Sequence, residues 1–259
     1  MCDTCGCDHG HTSPPPLSAE ERMGGSIKET KIIDVNQNLL KSNDKAAMHN
    51  KKHFDDKGLL VINLISSPGS GKTTLLEKTI DSLKDRVSVG VLEGDIETDL
   101  DAERIRAKGV PAVQLTTGGA CHLESALVHT GFHSLEHQLK GKKLDILFIE
   151  NVGNLVCPSF FDLGEHVRVV LISVPEGHDK AVKYPKAIKT SHVLIITKSD
   201  LVPHFDFDMD KIRKDALALN PSLKVIVISA RTGEGMEEWA GFLKAVLREK
   251  QERFHNKIK

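Results

Sequence analysis

The chain has 259 residues, 39% of them hydrophobic and 27% charged, with a formal net charge of −1. That length holds one large α/β domain plus an appendage, and no apolar run approaches the ~18 residues that a membrane span needs. One Trp, one Tyr and nine Phe in a nearly neutral chain offer neither the basic field nor the aromatic platforms of a nucleic-acid binder, so neither nucleic acid nor membrane is expected as a partner.

Residues 1–30 read as a flexible metal-binding arm, because they are polar and proline-rich with almost nothing to bury. The domain proper is expected over 31–259. The chain opens on Cys2, Cys5 and Cys7 instead of a basic segment followed by an apolar one, which argues for a cytoplasmic protein without a secretory signal. Five cysteines, an odd number, argue against a disulfide framework there. The Cys-x-x-Cys-x-Cys spacing lets three soft thiolates converge on one ion, with His9 and His11 close by and the Cys2 amine a further donor if Met1 is removed. Such a set suits tetrahedral Zn²⁺ or square-planar Ni²⁺ and does not choose between them.

Residues 34–55 carry Val35, Leu39, Leu40, Ala47 and Met48 among polar residues, the pattern of one or two packed helices without evident chemistry. Residues 59–66 are an apolar run that breaks into Ser66-Ser-Pro-Gly69-Ser70-Gly71-Lys72-Thr73-Thr74. This is the phosphate-cradling pattern G-x-x-x-x-G-K-[ST], with Ser66 in place of the first glycine. A helix starting at Lys72 would aim free N–H groups at phosphate, Lys72 would reach the outer phosphates, and the Thr73 hydroxyl would hold Mg²⁺. A second strand over 87–93 ends in Asp95, placed to reach Mg²⁺ directly or through water, while Asp99 and Asp101 fit helix capping as well.

A short strand over 112–115 leads through Gly118 and Gly119 to Cys121 and His122, which we expect in the first turn of a helix that ends near residue 139. The dipole there would favour a thiolate. His129, His133 and His137, spaced by four on that helix, read as a solvated stripe. A third core strand over 144–150 closes with Glu150-Asn-Val-Gly153-Asn154, followed by Cys157. The acid would orient a Mg²⁺ water and Gly153 would donate to the γ-phosphate. Strands are expected over 167–174, 192–197 and 223–229, with helices over 181–189 and 236–249. Thr197-Lys198-Ser-Asp200 follows one strand: Asp200 can accept guanine N1–H and N2–H, and the Lys198 stem can cover the base. Ser229-Ala230 follows another strand, a turn that would meet guanine O6.

These elements together resemble the P-loop G proteins of the SIMIBI class, and within them the nickel-insertion GTPases of hydrogenase maturation, the HypB family. The residues that carry the resemblance are Ser66 to Thr74, Glu150-Asn-Val-Gly-Asn-Leu-Val-Cys-Pro158 and the amino-terminal Cys-x-x-Cys-Gly-Cys. It implies an α/β P-loop fold with a mainly parallel sheet, and GTP hydrolysis to GDP. It implies one nickel site at Cys2, Cys5 and Cys7 and a second, nickel or zinc site at Cys121, His122 and Cys157. It also implies a GTP-dependent homodimer, a zinc-containing maturation partner and a hydrogenase large-subunit precursor as recipient of nickel. Thr197 departs from the usual Asn of G proteins. Two other readings stay open: a P-loop small-molecule kinase, for which only Arg104 and Arg106 are suggestive, and a metal-storage protein with a vestigial nucleotide site.

Overall fold

A computed structural model describes residues 19–258 apart from 85, 97 and 98, with side chains from 37 to 257. The Cys2, Cys5 and Cys7 cluster lies outside the described residues. The chain divides into two units, Met1–Leu39 and Leu40–Lys259. Helix α1 (Ala19–Asp56) is continuous and begins within the stretch that composition assigned to the arm.

The second unit is built on seven strands, β1 (Leu60–Ser66), β2 (Val89–Asp95), β3 (Ala112–Thr116), β4 (Ile146–Gly153), β5 (Val167–Ser173), β6 (Val193–Thr197) and β7 (Lys224–Ile228). They form one sheet in the order β3-β2-β4-β1-β5-β6-β7, and every pairing is parallel. All seven residues of β1 and of β5 are buried. That is why these strands read as unbroken apolar runs, since a parallel sheet is covered on both faces.

The connecting helices are α2 (Lys72–Leu83), α3 (Leu100–Arg106), α4 (Ser125–Leu139), α5 (Lys180–Lys183), α6 (Pro185–Lys189), α7 (Met209–Leu219) and α8 (Met236–Ile258). On one face Leu76 and Ile80 of α2, Ile105 of α3 and Trp239 and Leu243 of α8 pack on Ile62, Leu64 and Phe148. On the other, Phe54 of α1 and Val128, Phe132 and Leu135 of α4 cover Val61, Leu92 and Ile149, while α5, α6 and α7 cover Val170, Ile172 and Leu194. Residues alternate between faces along each strand, so the run 60–66 feeds both cores. Helix α7 has no counterpart in the sequence reading, and α8 extends past the expected residue 249.

Two buried asparagines of α1 decide where α4 starts. Asn43 Oδ1 accepts the Ser125 N–H at 2.9 Å and its Nδ2 donates to the Asp162 carbonyl at 2.8 Å. Asn50 Nδ2 donates to the Ser125 and Leu163 carbonyls at 2.8 and 3.3 Å. A cap supplied by another element satisfies the free N–H at the helix start. Consequently Cys121 and His122 precede α4, contrary to the sequence expectation that placed them in its first turn.

Candidate functional site: the carboxyl end of the sheet

In an open parallel sheet, ligands bind beyond the carboxyl ends of the strands. Here a cavity of about 410 Å³ lies there, lined by Gly69, Gly71, Lys72, Thr73, Thr74, Glu93, Asp95, Glu150, Gly153 and Lys198, among others. The loop after β1 turns through left-handed backbone at Gly69 (φ 72°) and Gly71 (φ 92°), a region that glycine enters without strain, and delivers Lys72 as the first residue of α2. Ser66, where the pattern has glycine, is accommodated by use: its Oγ accepts from Lys72 Nζ at 3.0 Å and donates to the Ser67 carbonyl at 2.7 Å. Gly153 lines the same cavity, and a Cβ there would come within 3.0 Å of Pro68, so the end of β4 abuts the glycine loop directly.

The acids of the cavity are unusual in their burial. Glu150 is 5% exposed; its Oε1 accepts from Thr73 Oγ1 at 2.9 Å and lies 4.0 Å from Lys72 Nζ. Burial pushes its pKa up to about 7, opposed by the Lys72 charge and the Thr73 hydrogen bond. Glu93, its register partner on β2, is held well above the usual carboxylate range by burial, then by the charges of Glu150 and Asp101. Apart from a side-chain hydrogen bond between the two carboxyls, Glu93 Oε1 and Glu150 Oε2 are buried without a partner, as are both polar atoms of Gln114 beside them. Buried polar atoms are normally paired. Unpaired carboxylate oxygens beside a threonine hydroxyl and Asp95 are the donor set that a hard, partly hydrated cation such as Mg²⁺ takes. Asp95 Oδ1 accepts the N–H of Ile96 at 2.6 Å. Glu93 and Gln114 are absent from the sequence reading, since neither belongs to a motif.

Toward β6 and β7 a second cavity of about 330 Å³ is lined by Thr197, Lys198, Asp200, Ile228 and Ala230. It meets the first at Gly71, Thr74 and Lys198. Its walls are tied together. Thr197 Oγ1 donates to the Ser70 carbonyl at 2.7 Å and Lys198 Nζ to that of Gly69 at 2.8 Å. Ser229 Oγ donates to Asp200 Oδ1 at 2.7 Å, which leaves Asp200 oriented with accepting capacity to spare. The threonine at the usual Asn position thus links the β6 loop to the glycine loop with its hydroxyl. Glu176 braces the glycine loop from the end of β5: its Oε2 accepts the Ser173 N–H at 2.8 Å and lies 2.7 Å from Ser70 Oγ.

The third part is a thiol and imidazole cluster. Cys121 Sγ lies 2.9 Å from Cys157 Sγ and 3.9 Å from His122 Nδ1. All three offer ligand atoms within 4.8 Å of one another. His122 stacks on Phe161 with centroids 3.8 Å apart, and its Nε2 is buried without a hydrogen bond, Glu124 Oε1 standing 3.9 Å away. Burial lowers the pKa of His122, which favours the neutral, ligating imidazole. The Cys157 thiol is pushed up by hydrogen bonding to Cys121 and by burial. Two sulfurs and a nitrogen on two loops suit a borderline ion such as Zn²⁺ or Ni²⁺. Of the two arginines that hinted at a kinase lid, Arg106 pairs with Asp99 at 2.5 Å. Arg104 lines the first cavity but is held by Glu77 and Asp101 at 2.7 and 2.9 Å.

Sheet order, glycine loop and strand-end acids define a P-loop nucleotide-binding domain. Residues 60–227 match the family described as CobW/HypB/UreG, nucleotide-binding domain. Over 217 residues the chain is 48% identical to the hydrogenase maturation factor HypB of Azotobacter chroococcum mcd 1, covering 84% of this chain and 70% of that protein. It is 44% identical to that of Escherichia coli (strain K12) over the same length, 84% of this chain and 73% of that protein. Among solved structures, HypB from Helicobacter pylori in complex with nickel superposes with a TM-score of 0.78 at 42% identity, covering 81% of this chain and 97% of that one. HypB from Archaeoglobus fulgidus gives 0.73 at 38% identity, covering 80% and 99%. The chain belongs to the CobW/HypB/UreG family of P-loop proteins and, within it, to the HypB hydrogenase maturation factors.

Proposed function

We propose that the chain hydrolyses GTP and uses the cycle to time the binding and release of nickel, delivering it to a hydrogenase precursor. The reading is supported chiefly by one observation: one short segment carries Gly153, the last residue of β4, which borders the nucleotide cavity, and then Cys157, whose sulfur meets Cys121. A loop held by the γ-phosphate and relaxed on hydrolysis would move one metal ligand relative to the others.

In this reading the N–H groups around Gly71, Lys72, Thr73 and Thr74 cradle the phosphates, with Gly69 and Ser70 shaping the loop, and Lys72 neutralises the outer oxygens. Asp200 accepts from guanine N1 and N2, Lys198 covers the base, and Ser229 and Ala230 face O6. Thr73 would hold Mg²⁺, with Asp95 and Glu150 holding its water, and the ion would supply charge neutralisation at the β- and γ-phosphates. Nickel or zinc is cargo, held by Cys121, His122 and Cys157 and, at the arm, by Cys2, Cys5 and Cys7. A GTP-dependent homodimer, a zinc-containing maturation partner, a cytoplasmic setting and a division into arm (1–30) and GTPase domain (31–259) belong to the same proposal.

The test is Ni²⁺ affinity of the full chain with Cys2, Cys5 and Cys7 changed to serine, measured with GDP and with a non-hydrolysable GTP analogue. A difference of 5- to 150-fold is expected for coupled sites. Equal affinities would leave a GTPase with an unconnected metal site.

A further inference from the structure

His133 and His137 of α4 are exposed, as a solvated stripe requires, but His129 is half-buried and meets His53 of α1. His53, His129 and His133 offer ring nitrogens within 4.8 Å of one another, and His49, one helical turn before His53, packs edge-on against His129 with centroids 5.0 Å apart. The four line one surface hollow. None belongs to the nucleotide cavity or to the cysteine cluster.

Hydrogen bonding fixes the tautomers of two of these rings. Both Asn50 Nδ2 contacts are with carbonyls, so its Oδ1 must face His129 Nδ1, 3.1 Å away, as acceptor. His129 therefore carries its proton on Nδ1. His133 Nδ1 lies 3.1 Å from Glu136 Oε2, while Lys57 pairs with the other Glu136 oxygen at 2.6 Å. An ion-paired carboxylate only accepts, so His133 also carries its proton on Nδ1. Each ring then presents its Nε2 lone pair to the other, and these atoms are 3.1 Å apart. Two acceptors at that distance repel unless a cation or a shared proton sits against both. Imidazole nitrogens bound to one ion at about 2.0–2.1 Å stand about 2.9 Å apart at a right angle and about 3.4 Å at the tetrahedral angle. The observed spacing falls between them.

We propose that His53, His129 and His133 form a separate cation site built of imidazole nitrogens, with His49 at its rim, for a borderline divalent ion such as Ni²⁺ or Zn²⁺. Neutral imidazoles select such ions over Mg²⁺ or Ca²⁺, which take oxygen. Asn50 and Glu136 are its positioning residues: each holds a ring by the nitrogen opposite the ligating one, the usual support of a metal-bound histidine. The site joins α1 to α4, the two helices that Asn43 and Asn50 already connect.

The experiment is equilibrium dialysis of the full chain against Ni²⁺ and, separately, Zn²⁺, comparing the unmodified protein with His129→Ala/His133→Ala. The double variant is expected to bind one equivalent fewer, and the Co²⁺ spectrum of that equivalent to lack thiolate charge-transfer bands. Glu136→Gln, at a partly exposed position, should keep the stoichiometry and weaken that equivalent about 10- to 100-fold. Should the double variant fail to fold, ring-nitrogen NMR of the unmodified chain decides: Zn²⁺ should shift the Nε2 resonances of His129 and His133. Unchanged stoichiometry, a thiolate band on the lost equivalent, or Nε2 resonances that respond to pH but not to Zn²⁺ would overturn the proposal in favour of a shared proton.

Discussion

The side-chain amide of Asn154 donates to the Cys121 carbonyl across 3.3 Å, while its oxygen accepts the Val156 N–H at 2.8 Å. Its amide thereby ties the loop after β4 to the loop before α4, so the two cysteine-bearing segments are joined one residue from Gly153 and the nucleotide cavity.

Replacing Asn154 with Ala should therefore act on metal more than on nucleotide. Ni²⁺ affinity at the Cys121 site should fall about 10-fold or more, the range for losing a positioning contact, while GTP affinity changes little. Calorimetric titration with each ligand checks both arms; a variant that loses GTP and keeps Ni²⁺ would contradict the assignment.

Guanine selectivity should rest on Asp200. A site that pairs a carboxylate with two donors rejects an analogue lacking them by about 10⁴-fold, so ATP should not compete with GTP at similar concentration. Asp200→Asn should favour xanthine nucleotides. Ser229→Ala should weaken GTP binding more mildly, because the Ser229 hydroxyl orients Asp200 and its loss leaves the carboxylate itself in place.

Unaided hydrolysis should be slow, on the order of 10⁻³ to 10⁻² s⁻¹, as in G proteins without an inserted arginine. Arg104 is committed to Glu77 and Asp101 and does not supply one. Lys72→Ala and Thr73→Ala should each abolish turnover in a phosphate-release assay.

The stability that neutral His166 contributes should be lost in acid, against an opposite contribution from Glu150, whose folded pKa of about 7 lies above its unfolded value and adds stability as pH falls. His166 Nδ1 accepts the Val61 N–H at 3.0 Å and its Nε2 faces Asp55 Oδ1 at 3.0 Å, so protonation would cost the Val61 bond. Burial and the neighbouring Lys250 charge lower its pKa to about 4. Unfolded, His166 has an ordinary pKa near 6.5 and binds more protons than when folded, so its contribution to stability declines as pH drops from about 6.5 toward 4. The loss by pH 4 should approach about 3 kcal/mol. Urea unfolding of the unmodified chain and of His166→Gln at pH 7 and pH 4.5 isolates it: the Glu150 contribution is common to both, so the unmodified chain should lose more stability, or gain less, than the variant on acidification.

Asn43→Ala should destabilise the fold by about 1–3 kcal/mol, because it leaves the buried Ser125 N–H without an acceptor. Thermal unfolding reads this directly.

The strands and the glycine loop were legible because a parallel strand covered on both faces can only be an apolar run, and because Gly71-Lys72-Thr73 needs its residues in fixed order. Helix α7 was not, since only Ile212 and Ala216 are buried along it. Its signal was the start: Asp208, whose carboxylate accepts the Lys211 N–H at 2.8 Å. The onset of α4 was misread because its cap, Asn43, comes from another helix. The surroundings of His129 were hidden for the same kind of reason, since spacing within one helix cannot reveal that His53 arrives from α1. Glu93 became visible only through its register with Glu150.

The hydrogen bonds from Thr197 to the Ser70 carbonyl, from Lys198 to that of Gly69 and from Ser229 to Asp200 brace one half of the ligand cavity, whereas the unpaired oxygens of Glu93 and Glu150 lie in the other. A nucleoside mono-, di- or triphosphate would thus meet the same ready-made seat for its base. Residence time would then scale with the length of the phosphate tail alone, and the slow event after cleavage would be departure of a diphosphate still seated by its base.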